Sequence, residues 1–334
     1  MAIYDPISCT RSLIDIESIS GNERAVGEWL AQQLEQLGYG VERIVCTPQR
    51  FNVFALPLGI SQPDLVLSTH MDTVPPFIAS REDGEKIYGR GSCDAKGIIA
   101  AQIAAAEQLR HMDIKVGLLF LVGEELDSLG ARTANQFPRG SRFLINGEPT
   151  DNRIAIASKG ALRVEIEATG RMAHSAYPHL GDSAIEKLVH ALERLIAMDL
   201  PRHPEFGPCT MNIGTISGGR APNVIPDQAH AELLYRLVGG SVGLREQILS
   251  AVGELATADV TLEIPFVKLR EIDGLPTMLA AFTTDIPALT NWGEPVLLGP
   301  GSIHVAHTTR EFLSKRELFD AVDLYVRVAK QLLS

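Results

Sequence analysis

Three short apolar segments of this chain each stop at residues able to bind a metal ion. Asp64-Leu65-Val66-Leu67-Ser68-Thr69 runs into His70, Lys115 to Val122 runs through Gly123 into Glu124-Glu125, and Arg142 to Asn146 runs through Gly147 into Glu148. Strands that are apolar without a break belong in the middle of a sheet covered by helices on both faces. The alanine-rich stretch from Asp94 to Leu109 reads as a helix between the first two. Strand, helix and strand in this order predict an α/β fold built on an open, mixed sheet. In that architecture functional groups collect beyond the carboxyl ends of strands, where His70, Glu124 and Glu148 stand.

The pattern changes in the middle of the chain. Leu162 to Thr169 and Ala231 to Leu237 alternate apolar and polar residues, as antiparallel strands with one wet face do. Met211 to Ile216 also reads as a strand, and helices are expected at about 183–198 and 241–255. Two helices on one face of a four-stranded antiparallel sheet make a small α+β domain. At 334 residues the chain is long for one core, so the expected division is 1–161 with 273–334, and an inserted domain over 162–272. Ser-x-x-Glu occurs at Ser20–Glu23, Ser183–Glu186 and Ser314–Glu317, each before an apolar run of helical period. Each predicts a helix whose first turn is capped reciprocally.

Charge narrows the function. With 30 Lys and Arg against 41 Asp and Glu, the net charge is −11, which argues against nucleic acid or an anionic membrane surface as partner. No apolar run approaches the roughly 18 residues of a membrane span, and the first residues lack the features of a secretion signal. Cys9, Cys46, Cys93 and Cys209 form no CxxC pair; four free thiols are expected in a reducing cytoplasm.

The candidate ligands are His70, Asp94, one of the pair Glu124-Glu125, Glu148 and His307. Zinc accepts imidazole nitrogen and carboxylate oxygen. Taken singly, each residue also fits a plain structural role. His70-Met71-Asp72 reads as a ligand with an acid that orients it. Asp94, in Gly89-Arg90-Gly91-Ser92-Cys93-Asp94, fits either a carboxylate bridging two metals or the N-cap of the following helix. That loop lacks the Gly-Lys-Ser/Thr ending of a phosphate loop. Two adjacent acids after an apolar strand, Glu124 and Glu125, repel unless a cation compensates them; one can bind metal while the other handles a proton. His304 is the rival of His307. Cys93 has no identifiable base partner.

Together His-Met-Asp-Thr-Val-Pro, Gly-Arg-Gly-Ser-Cys-Asp-Ala-Lys-Gly, Gly-Glu-Glu, Gly-Glu-Pro-Thr and the late histidine resemble the dinuclear zinc amidohydrolases. That family includes acetylornithine deacetylase, succinyl-diaminopimelate desuccinylase and carboxypeptidase G. The ordered set spans almost the whole chain. The resemblance implies two zinc ions, for which cobalt can substitute. It implies His70 and Glu148 on one ion, Glu125 and His307 on the other, and Asp94 bridging both. Asp72 would orient His70, and Glu124 would carry a proton from water to the leaving amine. The Asp94–Ala95 peptide would be cis. The inserted domain is similar to the family's lid, which also dimerises, so a homodimer is implied. His174 in Ala173-His174-Ser175 would polarise the scissile carbonyl in the partner subunit's site. Asn223 and Arg236 would contact the substrate carboxylate, and the backbone at Gly299 would line the pocket. The stretch from Gly299 to Phe312 is most similar to the acetylornithine and acetylcitrulline deacetylases. The implied activity is hydrolysis of a small N-acyl amino acid, first N-acetylornithine in arginine biosynthesis. Acetylcitrulline, acetyl-lysine, succinyl-diaminopimelate and short peptides are the alternatives. A non-catalytic binding protein is the reading from another class, and the intact ligand set argues against it.

Overall fold

The computed structural model describes residues 4–334. The chain forms two compact units. One runs to Ile156 and resumes over Leu269–Met278 and Thr284–Ser334; the other comprises Ala157–Lys268 and Leu279–Thr283.

The first unit is an α/β sheet with helices on both faces. Its elements begin with α1 (Pro6–Ile14), α2 (Arg24–Gln36), β1 (Tyr39–Thr47), β2 (Arg50–Pro57), β3 (Leu65–His70), α3 (Lys96–Arg110), β4 (Val116–Leu121), α4 (Leu129–Ala134) and β5 (Phe143–Asn146). The strand order is β1-β2-β4-β3-β5, followed by Glu294–Leu297 and Ile154–Ser158. β1, β2 and β4 pair antiparallel, whereas β3 pairs parallel with both β4 and β5, so the sheet is mixed. Every residue of β3, β4 and β5 is buried. The two-residue period divides them between faces. Leu65, Leu67, Val116, Leu118, Phe120 and Ile145 enter the core with α1, α2, α3 and the C-terminal helix Lys315–Leu333. Val66, Leu119, Leu121 and Leu144 enter the opposite core, with α4 and Trp292. Twelve of the fifteen residues of α3 are buried, which explains its alanines: small side chains let a helix be packed on every side.

Register aligns the strand ends. His70 lies opposite Leu121, Ser68 opposite Asn146, and Leu297 opposite Asn146. The loops leaving these four parallel strands therefore start from one edge of the sheet.

The second unit holds β6 (Gly160–Thr169), α5 (Ala184–Ile196), β7 (Thr210–Gly218), β8 (Gln228–Leu237), α6 (Val242–Val252) and β9 (Thr257–Ile264). Its sheet is antiparallel with order β7-β8-β6-β9. Leu162, Val164 and Ile166 of β6 and Ala231, Leu233 and Tyr235 of β8 form its core with α5 and α6. The intervening Arg163 and Glu167 are exposed, which is the alternation expected of a sheet covered on one face.

Two of the three predicted caps form in their serine half, without the return bond from the glutamate among the described residues. Ser183 Oγ accepts the Glu186 N–H at 3.2 Å, and Ser314 Oγ accepts that of Glu317 at 3.4 Å. The third does not: α2 starts at Arg24 with no side-chain cap. The Ser20 hydroxyl donates instead to buried Asp72 at 2.7 Å, and Glu23 pairs with Arg50 at 2.6 Å. Charge-assisted bonds in the interior outcompete a neutral cap at the surface.

Gly147, between β5 and Glu148, has no space for a side chain: a Cβ there would lie 2.3 Å from Ile98 Cγ2 and 2.6 Å from Gln102 Nε2. Gly147→Ala is expected to lower unfolding free energy by about 1–3 kcal/mol through overpacking. Urea denaturation measures this, and an unchanged midpoint would refute the packing argument.

Candidate metal centre

The four loops at the sheet edge bring charged groups together. Ligand atoms of His70, Asp94 and Glu125 all lie within 4.8 Å of one another. His70 Nε2 is 2.9 Å from Asp94 Oδ1. His307 Nε2 is 2.9 Å from Glu125 Oε1 and 3.3 Å from Asp94 Oδ2. Asp94 thus has one oxygen toward each imidazole, the geometry a bridging carboxylate requires. It does not cap α3, whose N-cap is Ala95. The Asp94–Ala95 peptide is cis. His307 is the histidine that reaches the acids; His304 is exposed and has no such contact among the described residues.

Asp72 organises the site more widely than an orienting acid. His70 Nδ1 is 3.0 Å from the backbone oxygen of Asp72 and 3.5 Å from its carboxylate. The carboxylate accepts the backbone N–H groups of Gly123 at 3.0 Å, Glu124 at 3.1 Å and Glu125 at 3.3 Å. One buried anion therefore holds the whole turn that presents both glutamates. Gly123 makes that turn with φ +77° and no room for a side chain beside Arg50.

Electrostatics oppose this assembly unless a cation is present. Burial, then the neighbouring acids, pushes the carboxyl groups of Glu124 and Glu148 well above the ordinary carboxylate range. Glu125 is raised by burial, against its bond to His307. Burial would raise Asp94 too, but hydrogen bonds to His307 and His70 outweigh it and hold Asp94 below its usual value. Burial would lower His70, yet its bonds to Asp72 and Asp94 keep it well above the imidazole range. His307 is raised to about 10 by its bonds to Asp94 and then Glu125. Glu148 is 4 % exposed, and its Oε1 has no hydrogen-bond partner among the described residues. Oxygen-rich crowding, two imidazoles and an unpartnered buried oxygen fit divalent cations of the zinc type. His70, Asp94 and Glu125 are the residues whose ligand atoms converge, with His307 in contact with two of them; Glu148 lies outside that three-residue group.

The remaining expected residues are more scattered. In the second unit, His174 is exposed and its Nδ1 accepts the Ala176 N–H at 3.1 Å. With Nδ1 accepting, Nε2 is the ring nitrogen left to donate. Asn223 is adjacent, its carbonyl accepting the Ser175 N–H at 3.1 Å. Arg236 is half-buried on β8 opposite Ala161 and Thr210. Gly299 departs from expectation. Its N–H donates to Thr150 Oγ1 at 3.0 Å, its carbonyl accepts from Thr150 and Asn152, and a Cβ would lie 2.5 Å from the Glu148 carbonyl. It packs behind Glu148 and offers no backbone group to a substrate.

One buried acid was missed by sequence reasoning. Asp285 is 1 % exposed, neither of its carboxylate oxygens has a hydrogen-bond partner among the described residues, and burial raises its pKa to about 7. It follows no apolar strand and sits in no motif, so the sequence offers no signal for it.

Comparison with known proteins follows the same lines. Residues 156–259 match the model of a peptidase dimerisation domain. A peptidase M20 domain-containing protein of Schizosaccharomyces pombe is 38 % identical over 96 % of this chain and 83 % of its own length. A probable carboxypeptidase of Aspergillus terreus is 38 % identical, covering 96 % of this chain and 84 % of its own. Among solved structures, a tripeptidase from Staphylococcus aureus superposes with a TM-score of 0.82 at 22 % identity, over 99 % of this chain and 100 % of that one.

His307→Ala is expected to remove one equivalent of bound divalent metal, and His304→Ala none. Equilibrium dialysis with elemental analysis distinguishes them. Equal loss in both variants would contradict the choice between the histidines.

Proposed function

The chain belongs to the M20 peptidase family and is a metal-dependent hydrolase of amide bonds, and on that premise we propose a two-metal enzyme that cleaves small N-acyl amino acids. The carrying observation is Asp94, with one oxygen near His70 and the other near His307. Divalent ions held there would act as Lewis acids on the amide carbonyl and make water a nucleophile at neutral pH. The Glu124 backbone N–H is tied to Asp72, and burial, then Glu148, pushes the residue's carboxyl well above the usual range. It is assigned to take a proton from the attacking water and deliver it to the leaving nitrogen. His174, with a donor at Nε2, is assigned to the developing oxyanion in the partner subunit's site. Asn223 and Arg236 are assigned to the substrate carboxylate.

N-acetylornithine is the first substrate to test, on the resemblance of the stretch from Gly299 to Phe312. The name of the Aspergillus terreus relative favours a second reading, removal of the last residue of a short peptide. Both substrates present an amide beside a free carboxylate, so one site chemistry serves either. A hydrolysis screen of acetyl-ornithine, acetyl-citrulline, acetyl-lysine, succinyl-diaminopimelate and dipeptides, with zinc or cobalt added, separates them. No turnover on any would overturn this reading.

A homodimer formed through the second unit is part of the proposal. β7 is an edge strand with unpaired backbone groups. Ile216 on it is 62 % exposed, and Val189 and Ile196 on α5 are 55 % and 63 % exposed. Open edges and exposed apolar groups of this kind seek a partner. The four free cysteines suit the cytoplasm.

Glu124→Gln is expected to keep its metal and lose catalysis by at least about 100-fold, the lower end of what acid–base groups contribute. Substantial residual kcat with full metal content would remove the proton role. Ile216→Lys with Val189→Glu is expected to yield monomers by sedimentation velocity; an unchanged sedimentation coefficient would place any interface elsewhere.

A further inference from the structure

Glu311 lies in the stretch from Gly299 to Phe312 but was given no role of its own there, yet it is 2 % exposed and bonded to the Asp94 backbone. Its Oε2 accepts from Arg90 Nη1 at 2.6 Å. Its Oε1 accepts the backbone N–H groups of Cys93 at 3.2 Å and Asp94 at 3.3 Å. Arg90 Nη1 also donates to the Thr308 carbonyl at 3.3 Å, and the Gly89 N–H donates to the Glu311 carbonyl at 3.3 Å. All five bonds join the segment 89–94 to the segment 308–311. The first segment carries Asp94, and the second begins beside His307.

A volume-filling side chain would not need a negative charge here. A second buried carboxylate near Asp94 costs free energy by like-charge repulsion. A carboxylate, however, offers two acceptor oxygens and no donor, which suits a guanidinium and two amides at once. Because Oε1 binds the N–H of Asp94 itself, it sets the backbone from which that carboxylate projects. Because Glu311 and His307 share a loop, the same contact sets how closely His307 approaches Asp94.

We propose that Glu311 is a positioning residue that locks the Asp94 loop to the His307 loop, so that the cation held by Asp94, Glu125 and His307 depends on it. This rests on the two-metal reading. It assigns Glu311 no contact with substrate or metal.

The test uses full-length protein stripped of metal and titrated with Co²⁺ alone, followed by calorimetry and visible absorption. For Glu311→Gln one of the two binding steps is expected to weaken about 10- to 100-fold, the usual effect of losing a partner behind a ligand. The absorption band of that ion is expected to shift, and the other step to change much less. Glu311→Ala is expected to act more strongly. If it does not fold, as thermal unfolding of the metal-free protein would reveal, Glu311→Gln alone decides. A folded Glu311→Gln variant with wild-type affinities and spectrum at both steps would overturn the proposal. Wild-type protein that takes up no second equivalent would overturn the two-metal reading, and the same titration detects this before any variant is compared.

Discussion

Parallel pairing in register is the constraint from which the rest of the site follows. β3 joins β4 and β5 with His70 opposite Leu121 and Ser68 opposite Asn146. Once three buried strands end together, the residues after them have no choice of neighbourhood. A slip of one residue would turn every side chain of a strand to the other core. Both cores are closely filled, one around α3 and one around Trp292, so the register is specified from both faces. The sheet thereby spends hydrophobic burial on holding acids close to one another.

Those acids repel, and the protein meets the repulsion in two ways. The first is directional hydrogen bonding. Asp72 gathers three backbone amides and a hydroxyl, and Glu311 gathers two amides and a guanidinium. Against burial, hydrogen bonds hold the Asp72 carboxyl below its usual value, whereas burial and then Asp94 raise that of Glu311. The second is left open. Glu148 keeps an oxygen without a donor, and burial and charge crowding disfavour ionisation of Glu124, Glu125 and Glu148. A site that the protein satisfies only in part is one that a cation completes, which is the physical content of family membership here.

The two units solve different problems. The first is covered on both faces and confines its polar groups to one end. The second covers one face of an antiparallel sheet and leaves the other wet, with β7 and β9 as edges. Apolar groups exposed on β7 and α5 add nothing to the core of a single copy. They suit a role between copies, in keeping with the match to a peptidase dimerisation domain.

The buried strands, the alternating strands and the acids that follow them were legible in the sequence, because burial writes its period directly into residue type. Four of the candidate ligands were legible for the same reason, His70, Glu125 and Glu148 after strands and Asp94 before a helix, whereas His307 was supplied by the resemblance. Pairings between distant segments were not legible. Ser20 and Glu23 have the form of a cap, but Asp72 and Arg50 claim them. Gly299 has the form of a pocket lining, but Thr150 and Glu148 occupy it. Asp285 and Glu311 leave no local trace, since what matters about each is which atoms surround it. The resemblance implied His307 and a bridging Asp94, but the contacts that set His307 apart from His304 and put Asp94 between two imidazoles are seen only in the folded chain. Local pattern determines which segments form strands and helices and which face is dry. The partner of a buried charge is decided only when segments some two hundred residues apart compete for the same donors in a space that water has left.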